Sequence, residues 1–482
     1  MGLDLSGSLK RHFMAAKFGT SGLRGLAAEL VGGIAFAHVQ AFAGQMIESK
    51  RISLGSHVYM AQDHRASSPA LALEIAAALR ACNLVPIDCG TIPTPALALY
   101  AMSRNAAAIM VTGSHIPADR NGIKFYRPDG EIDKADEVAI VAGAARFTDI
   151  PIFKAQTMAH GGEAALAQYF ARYASLFDRG ALAGQKIGVY QHSSVARDFL
   201  MKLLAHFGAE PVAIERSEGF IPVDTEAVDE AVLSRMAGYA QAFKLAAIIS
   251  TDADADRPLV MDENGAQIRG DVLGIITSIA LKADFIAAPV TSNSAIASAT
   301  GAEVELTTVG SPFVIAAMEK GIASGYKEIV GFEPNGGFLM ATDASVSGVS
   351  LPALMTRDST LPILMALQAG AKSGSLARHV SSLKLPIALG DRLQDFATEK
   401  GAALVALLRD DENARAKFVS GFGAVQTINI LDGLRVTLDS GVILHLRPSG
   451  NAPEMRCYVE AKDIGEAGAI LAEALNRIAA IA

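Results

Sequence analysis

Ala106-Ala107-Ala108-Ile109-Met110-Val111 runs directly into Thr112-Gly113-Ser114-His115-Ile116-Pro117. Uncharged apolar residues in such a run read as a buried strand, and the Gly, Ser, Asn and Pro after them read as loop. Ser114 therefore stands at a strand end, and the loop continues through Asn121-Gly122-Ile123-Lys124-Phe125-Tyr126. A serine hydroxyl is a weak nucleophile by itself and needs a base, a charge stabiliser or a metal beside it. His115 and Lys124 are the local candidates. On these residues alone an ordinary polar loop is the competing reading.

Working outward, residues 57–61 read as a strand, 62–68 as a turn, 69–84 as a helix with Pro in its first turn, and 85–90 as the next strand. Thr91-Ile92-Pro93-Thr94-Pro95 opens a further helix that leads to the strand before Ser114. This β-loop-α rhythm predicts an α/β layer structure. It resumes after a polar, Gly-containing stretch near 157–163, with a helix at 164–177, strands at 186–190, 210–214 and 245–250, and a helix at 197–207. A third passage from Gly265 holds strands at 285–290 and 329–332. From about Leu385 the pattern becomes helix, then alternating strands such as 425–430 with the turn Asp432-Gly433, then a last helix at 465–478. The expected domains are 1–160, 161–264 and 265–384, each α/β, and a smaller α+β domain at 385–482.

Whole-chain properties narrow the class. The chain has 482 residues, several times what one core serves. Hydrophobic residues make up 51%, yet no uninterrupted run approaches the ~18 needed for a membrane span. The N-terminal Met1-Gly2-Leu3-Asp4-Leu5-Ser6 lacks the basic and apolar regions of a leader, so a cytoplasmic protein is expected. Cys82, Cys89 and Cys457 are odd in number and scattered, with neither disulfide nor zinc spacing. Net charge is −8 with no basic block, which argues against a nucleic-acid surface. Any anion must be bound by a local pocket.

Four other stretches carry chemistry. Asp252-Ala253-Asp254-Ala255-Asp256-Arg257 follows an apolar strand, and carboxylates at alternate positions repel unless a cation sits among them. Hard oxygen ligands of this kind suit Mg²⁺ or Ca²⁺. Glu263 lies at the twelfth position of a hypothetical EF-hand, but Arg257 stands where that loop needs Gly, and a strand, not a helix, precedes it. An aspartyl-phosphatase reading, with Asp252 as nucleophile, would leave Ser114 without a purpose. Lys17-Phe18-Gly19-Thr20-Ser21-Gly22-Leu23-Arg24-Gly25 is a loop whose backbone can approach a ligand, with Arg24 able to hold an oxyanion. Glu333-Pro334-Asn335-Gly336-Gly337 offers a carboxylate and an amide suited to paired hydroxyls. Arg447-Pro448-Ser449-Gly450-Asn451-Ala452-Pro453-Glu454-Met455-Arg456 sets two guanidiniums around a small turn, a phosphate-binding arrangement. A plain turn or a salt-bridged hairpin is the competing reading of each.

Together and in this order the stretches resemble the α-D-phosphohexomutase superfamily, the bacterial phosphomannomutases and phosphoglucomutases, over nearly the whole chain. The family's F-G-T-S-G-x-R-G corresponds to Phe18 through Gly25, T-x-S-H-x-P with N-G-x-K to Thr112 through Lys124, D-G-D-x-D-R to Asp252 through Arg257, and R-P-S-G-x-x-P-x-x-R to Arg447 through Arg456. The resemblance implies three related mixed α/β domains and a fourth, smaller one around a central cleft. It implies an isomerase in which Ser114 carries a phosphoryl group and exchanges it with a hexose phosphate through a 1,6-bisphosphate. Mg²⁺ would sit on Asp252, Asp254, Asp256 and the Ser114 phosphoryl group. Lys124, His115 and Arg24 would serve the reacting centre, Arg257, Glu333 and Asn335 the sugar, and Arg447, Ser449, Gly450, Asn451 and Arg456 the phosphate that is not reacting.

There are departures. Ala253 replaces the usual Gly, Ile116 an Asn, Asn451-Ala452 a Thr-Glu, and the sugar loop, commonly G-E-x-S-G-H, has Gly337 in place of its histidine. The expected activity is interconversion of mannose 6-phosphate and mannose 1-phosphate. Glucose phosphates are the near alternative, and a non-catalytic phosphosugar-binding protein is the alternative of another class. Small hexose phosphates, with hexose 1,6-bisphosphate as activator, are the expected partners, and oligomeric state is left open.

Overall fold

The computed structural model describes residues 16–19, 22–147, 156–449 and 453–481. Three mixed sheets are built on one plan. In the first, Val85–Asp88, His57–Gln62 and Ala107–Val111 run parallel, and Arg120–Arg127 returns antiparallel beside Ala107–Val111. In the second, the same places are taken by Glu210–Arg216, Lys186–His192, Ala247–Thr251 and Pro258–Met261. In the third they are Glu303–Thr307, Phe285–Pro289, Ile329–Phe332 and Phe338–Met340. The third strands of the three sheets, Ala107–Val111, Ala247–Thr251 and Ile329–Phe332, are buried along their whole length, which is why they read as uncharged, largely apolar runs.

This repetition places the chemistry. The Ser114 loop, the Asp252 loop and the Glu333 loop each occupy the same connection, between the third strand and its antiparallel return. A strand buried on both faces can present a reactive group only at its end, so three copies of one plan deliver three loops to one cleft.

The fourth unit is an antiparallel sheet in the order Ile387–Leu393, Met455–Ala461, Ile443–Pro448, Leu434–Leu438, Val425–Asn429. The alternation along Leu434–Leu438 buries Leu434, Val436 and Leu438 against Leu404, Leu471 and Ile478. This unit has a core of its own, whereas one contiguous apolar cluster runs through the other three, from Tyr59 and Tyr169 to Ile286 and Leu364.

Several expectations change. Residues 121–126, taken as part of the serine loop, form the strand Arg120–Arg127, because Ile123 and Phe125 alternate into the core. The helix expected at 69–84 is Ser68–Ala81, and it stops before Asn83, which takes a left-handed φ of 56°. The fourth unit begins with a strand, Ile387–Leu393, not a helix. The strands Pro258–Met261, Gln267–Ile268, Phe338–Met340 and Leu354–Asp358 were not expected.

The helical stretch Ala27–Glu48 has the length and apolarity of a membrane span. Val31, Gly32 and Gly33 leave helical geometry, however, so the continuous helix is Ala35–Glu48, 14 residues. At 1.5 Å per residue that is about 21 Å, short of a ~30 Å hydrocarbon layer. Phe36, Val39, Phe42 and Met46 bury its apolar face in the first domain.

Candidate active site

Ser114 is buried at the end of Ala107–Val111 with a positive φ of 56°, a conformation that a non-glycine residue holds only when its surroundings enforce it. Its amide donates to Thr112 Oγ1 at 2.8 Å. Its carbonyl accepts from Arg65 Nη2 at 3.0 Å, and the same guanidinium donates to the carbonyls of Ile116, Pro117 and Arg120 at 2.6, 2.6 and 2.8 Å. Asp63 orients Arg65 through Nε at 3.2 Å and accepts from Ser68 and Thr112. The ring of Phe220, from the second domain, covers the guanidinium at 4.0 Å. Sequence reasoning missed Asp63 and Arg65, which lie in a turn that carried no motif.

The side chain of Ser114 points at the acidic loop. Oγ donates to Asp252 Oδ2 at 2.5 Å across 138 residues of chain. Asp252, Asp254 and Asp256 are fully buried, and one oxygen from each lies within 4.8 Å of the others. The loop is held from all sides: Thr94 donates its amide to the Asp254 carbonyl and its hydroxyl to Asp254 Oδ2, Val195 N bonds the Ala253 carbonyl, and Ser359 Oγ bonds the Ala255 carbonyl. Ala253 and Ala255 are themselves buried, and Ala255 accepts a φ of 62°.

Cations surround the carboxylates. Lys124 Nζ donates to Asp254 Oδ2 at 2.6 Å and Asp256 Oδ2 at 2.5 Å, so the strand Arg120–Arg127 brings it to the acidic loop and not to Ser114 itself. Arg357, which no motif marked, places Nε and Nη2 on Asp256 Oδ2 and Nη1 toward Glu333. Burial alone would raise the Asp256 carboxyl, but Arg357, Lys124 and Arg257 outweigh it and hold Asp256 below the usual carboxylate range. Asp252 lacks such close cations; burial, then the charges of Asp254 and Asp256, push it well above that range. Among the described residues, Asp254 Oδ1 and Asp256 Oδ1 are buried without hydrogen-bond partners. Unpartnered buried carboxylate oxygens beside a converging third carboxylate fit a hard divalent cation.

His115 Nδ1 lies 3.2 Å from Ser114 Oγ and accepts from Arg257 Nη1 at 2.9 Å. Burial, then Arg257, Arg24 and Lys124, hold the imidazole well below its ordinary value, so the ring is neutral with its proton on Nε2. Burial, then Arg257 and Arg357, lower Arg24 to about 10, and its Nη2 is a buried donor without a partner among the described residues.

Glu333 and Asn335 sit in the equivalent loop of the third domain, both buried. Asn335 Oδ1 is engaged by the Gly337 amide at 3.0 Å, and its carbonyl accepts from Thr225 at 2.8 Å. Its amide oxygen therefore shapes the turn. In the fourth domain Arg447 Nε donates to Asp432 Oδ1 at 2.8 Å, and the other Asp432 oxygen accepts from Val309 N of the third domain at 3.0 Å. Arg456 reaches Glu454 at 3.6 Å and, with Arg269, Glu226 and Tyr458, lines a cavity of about 180 Å³. Ser449 is buried and its amide bonds the Glu454 carbonyl at 2.9 Å. Gly450 and Asn451, with Thr20 and Ser21 of the first glycine loop, lie outside the described residues.

Comparison with known proteins covers the whole arrangement. Models of phosphoglucomutase/phosphomannomutase α/β/α domains I, II and III match residues 15–149, 167–265 and 269–384, and the C-terminal domain of the same family matches 397–477. A phosphomannomutase of Sinorhizobium fredii is 48% identical over 470 residues, 96% of this chain and 98% of the relative. A phosphomannomutase of Salmonella muenchen is 42% identical over 96% of this chain and 95% of the relative. The crystal structure of a phosphoglucomutase/phosphomannomutase family protein from Burkholderia thailandensis superposes with a TM-score of 0.74 at 20% identity, covering 96% of this chain and 97% of that one. With three repeated sheets bringing the Ser114, Asp252 and Glu333 loops together, and a fourth domain bearing Arg447 and Arg456, the chain belongs to the phosphoglucomutase/phosphomannomutase family.

Proposed function

We propose that the protein is a phosphohexomutase that moves a phosphoryl group between C6 and C1 of a hexose, chiefly converting mannose 6-phosphate to mannose 1-phosphate, through a phosphoserine at Ser114 and a hexose 1,6-bisphosphate. The observation that carries this is the contact of Ser114 Oγ with Asp252 Oδ2 at 2.5 Å, within a fully buried three-carboxylate cluster. An aspartyl-phosphatase would need no such serine. The two relatives named phosphomannomutase support mannose as the sugar.

The donor set fits Mg²⁺, with Asp252, Asp254, Asp256 and the Ser114 side chain as its holders. When bound, the ion supplies neutralisation of charge on the transferring group. Lys124, placed between Asp254 and Asp256, adds a fixed positive charge at the same centre, and Arg24 offers its unpartnered Nη2 to a phosphoryl oxygen. His115 is a neutral ring whose Nε2–H is a donor, so it stabilises charge without taking up a proton. As the bond from Ser114 Oγ to phosphorus breaks, a bond from the sugar hydroxyl oxygen to phosphorus forms, and the proton that the sugar hydroxyl gives up ends on Ser114 Oγ. Glu333, with Asn335 shaping its turn, accepts sugar hydroxyls. Arg257 positions the reacting sugar, and Arg447, Ser449, Gly450, Asn451 and Arg456 hold the remaining phosphate. The bisphosphate turns around in the cleft, so that clamp takes either phosphate.

The test is turnover of mannose 1-phosphate and glucose 1-phosphate by one preparation with a trace of hexose 1,6-bisphosphate. A higher kcat/KM for mannose 1-phosphate is expected. The reverse order makes glucose phosphates the substrate, and no turnover of either leaves a phosphosugar-binding protein. The phosphoenzyme should survive acid and hydroxylamine and be lost in alkali.

A further inference from the structure

Arg357 stands in the strand Leu354–Asp358, about a hundred residues from the acidic loop in sequence, and is 1% exposed. Its Nε and Nη2 donate to one oxygen, Asp256 Oδ2, at 3.0 and 2.7 Å, and Lys124 Nζ converges on that oxygen at 2.5 Å. The other oxygen, Oδ1, has no hydrogen-bond partner among the described residues, and Arg257 Nε lies 3.8 Å from it. Arg357 Nη1 meanwhile reaches Glu333 Oε2 at 3.4 Å. One planar guanidinium thus joins the acidic loop of the second domain to the sugar loop of the third. A lysine, as a point charge on a flexible stem, has no fork to hold both.

Room for Arg357 comes from Gly337. Phe338 pairs with Asp358, which sets Gly337 and Arg357 on one face of the ribbon as diagonal neighbours. A Cβ at position 337 would stand 2.5 Å from Arg357 Cδ, 2.8 Å from Cγ and 3.2 Å from Cβ. Those atoms are the root of the side chain, and its far end is anchored on Asp256 and Glu333, so it cannot swing away. A side chain at 337 and a seated arginine at 357 exclude each other. The absence of histidine at 337 is therefore coupled to the presence of Arg357.

We propose that Arg357 is the positioning residue of this site: it pins Asp256 Oδ2 so that Oδ1 faces the cation, it fixes Glu333, and Gly337 is glycine because it admits Arg357. Only the role given to Glu333 rests on the mutase reading.

The experiment measures Mn²⁺ affinity by titration calorimetry, and melting temperature without metal, on the full chain. It compares the wild type with Gly337→Ala, Arg357→Lys, Arg357→Ala and the Gly337→Ala/Arg357→Ala double variant. Gly337→Ala should weaken Mn²⁺ binding about tenfold although residue 337 touches no carboxylate, the size of effect seen when a supporting contact behind a metal ligand is lost. Arg357→Lys should weaken it as much despite keeping the charge. The double variant should bind no more weakly than Arg357→Ala alone, because Cδ and Cγ, the two atoms that a methyl group at position 337 would strike hardest, are gone and only Cβ at 3.2 Å remains. Unchanged Mn²⁺ affinity in Gly337→Ala, or losses that simply add in the double variant, would overturn the proposal. Should Arg357→Ala fail to fold, Gly337→Ala and Arg357→Lys decide it. Lack of mutase turnover in a wild type that shows these losses would remove the proposed function and leave the role of Arg357 standing. Full turnover with no such losses would do the opposite.

Discussion

Arg65 Nη2 donates to the carbonyl oxygen of Ser114 at 3.0 Å, so the left-handed backbone of Ser114 is held by an arginine 49 residues earlier in the chain. The same side chain collects three further carbonyls of that loop and is paired with Asp63, both side chains fully buried. Removing one partner of such a pair leaves an uncompensated buried charge. Arg65→Met should cost about 3–5 kcal/mol of stability, read from urea unfolding. Asp63→Asn keeps a hydrogen-bond acceptor but leaves the Arg65 guanidinium as the uncompensated charge, so it should cost a comparable amount, and a negligible cost would show that the loop does not depend on the charge pair.

Ser114→Ala should abolish phosphoenzyme formation and reduce turnover to background while Asp252, Asp254 and Asp256 still bind metal. Lys124→Met removes the cation shared by Asp254 and Asp256 and should lower kcat by about 10²–10³. Label retained on a Ser114→Ala protein after incubation with radiolabelled bisphosphate would contradict the assignment of the nucleophile.

Chelation should abolish activity, and Mg²⁺ should restore it. Because the three carboxylates converge only in the folded protein, bound metal should also stabilise the fold. At a hundred times the dissociation constant the gain is about 2.7 kcal/mol, visible as a rise in melting temperature with Mg²⁺ concentration. A melting curve indifferent to Mg²⁺ while activity responds would place the ion on the substrate instead of the protein.

His445 gives a pH dependence away from the metal. Its Nε2–H donates to the Asp432 carbonyl at 2.5 Å, Nδ1 is buried without a partner, and burial lowers the imidazole to about 4. The folded value lies below the unfolded value of about 6.5, so the unfolded chain binds more protons between the two. The neutral ring's contribution is intact above pH 6.5 and is lost as pH falls toward 4, at most about 3 kcal/mol. His192, buried and also lowered to about 4, adds a second such loss. His445→Gln should therefore lose a measurable part of the wild-type drop in urea midpoint between pH 7 and 4.5, and a variant with the full drop would exclude His445 as a source.

Much of the site was legible because its parts are local. Ser114 with His115, Asp252 through Arg257, and Arg447 through Arg456 each follow or join an apolar strand, and a strand end is recognisable from a handful of residues. The strand Arg120–Arg127 was not separated from the loop before it, because Asn121 and Gly122 carry the signature of a turn while the pairing that makes them a strand comes from Leu23–Leu26 and Ala107–Val111. Tertiary pairing overrode local preference there.

Neighbouring residues alone disclose the order of layers, the strand-end loops and the residue types suited to metal and phosphate, since burial patterns and ligand chemistry are local. Which charge neutralises which is set by the folded chain: Arg65 on the Ser114 loop, Lys124 on Asp254 and Asp256, Arg357 on Asp256 and Glu333. Those pairings span 24 to 132 residues. A buried charge needs a partner in space, and no local pattern records which distant side chain the folded chain will bring to it.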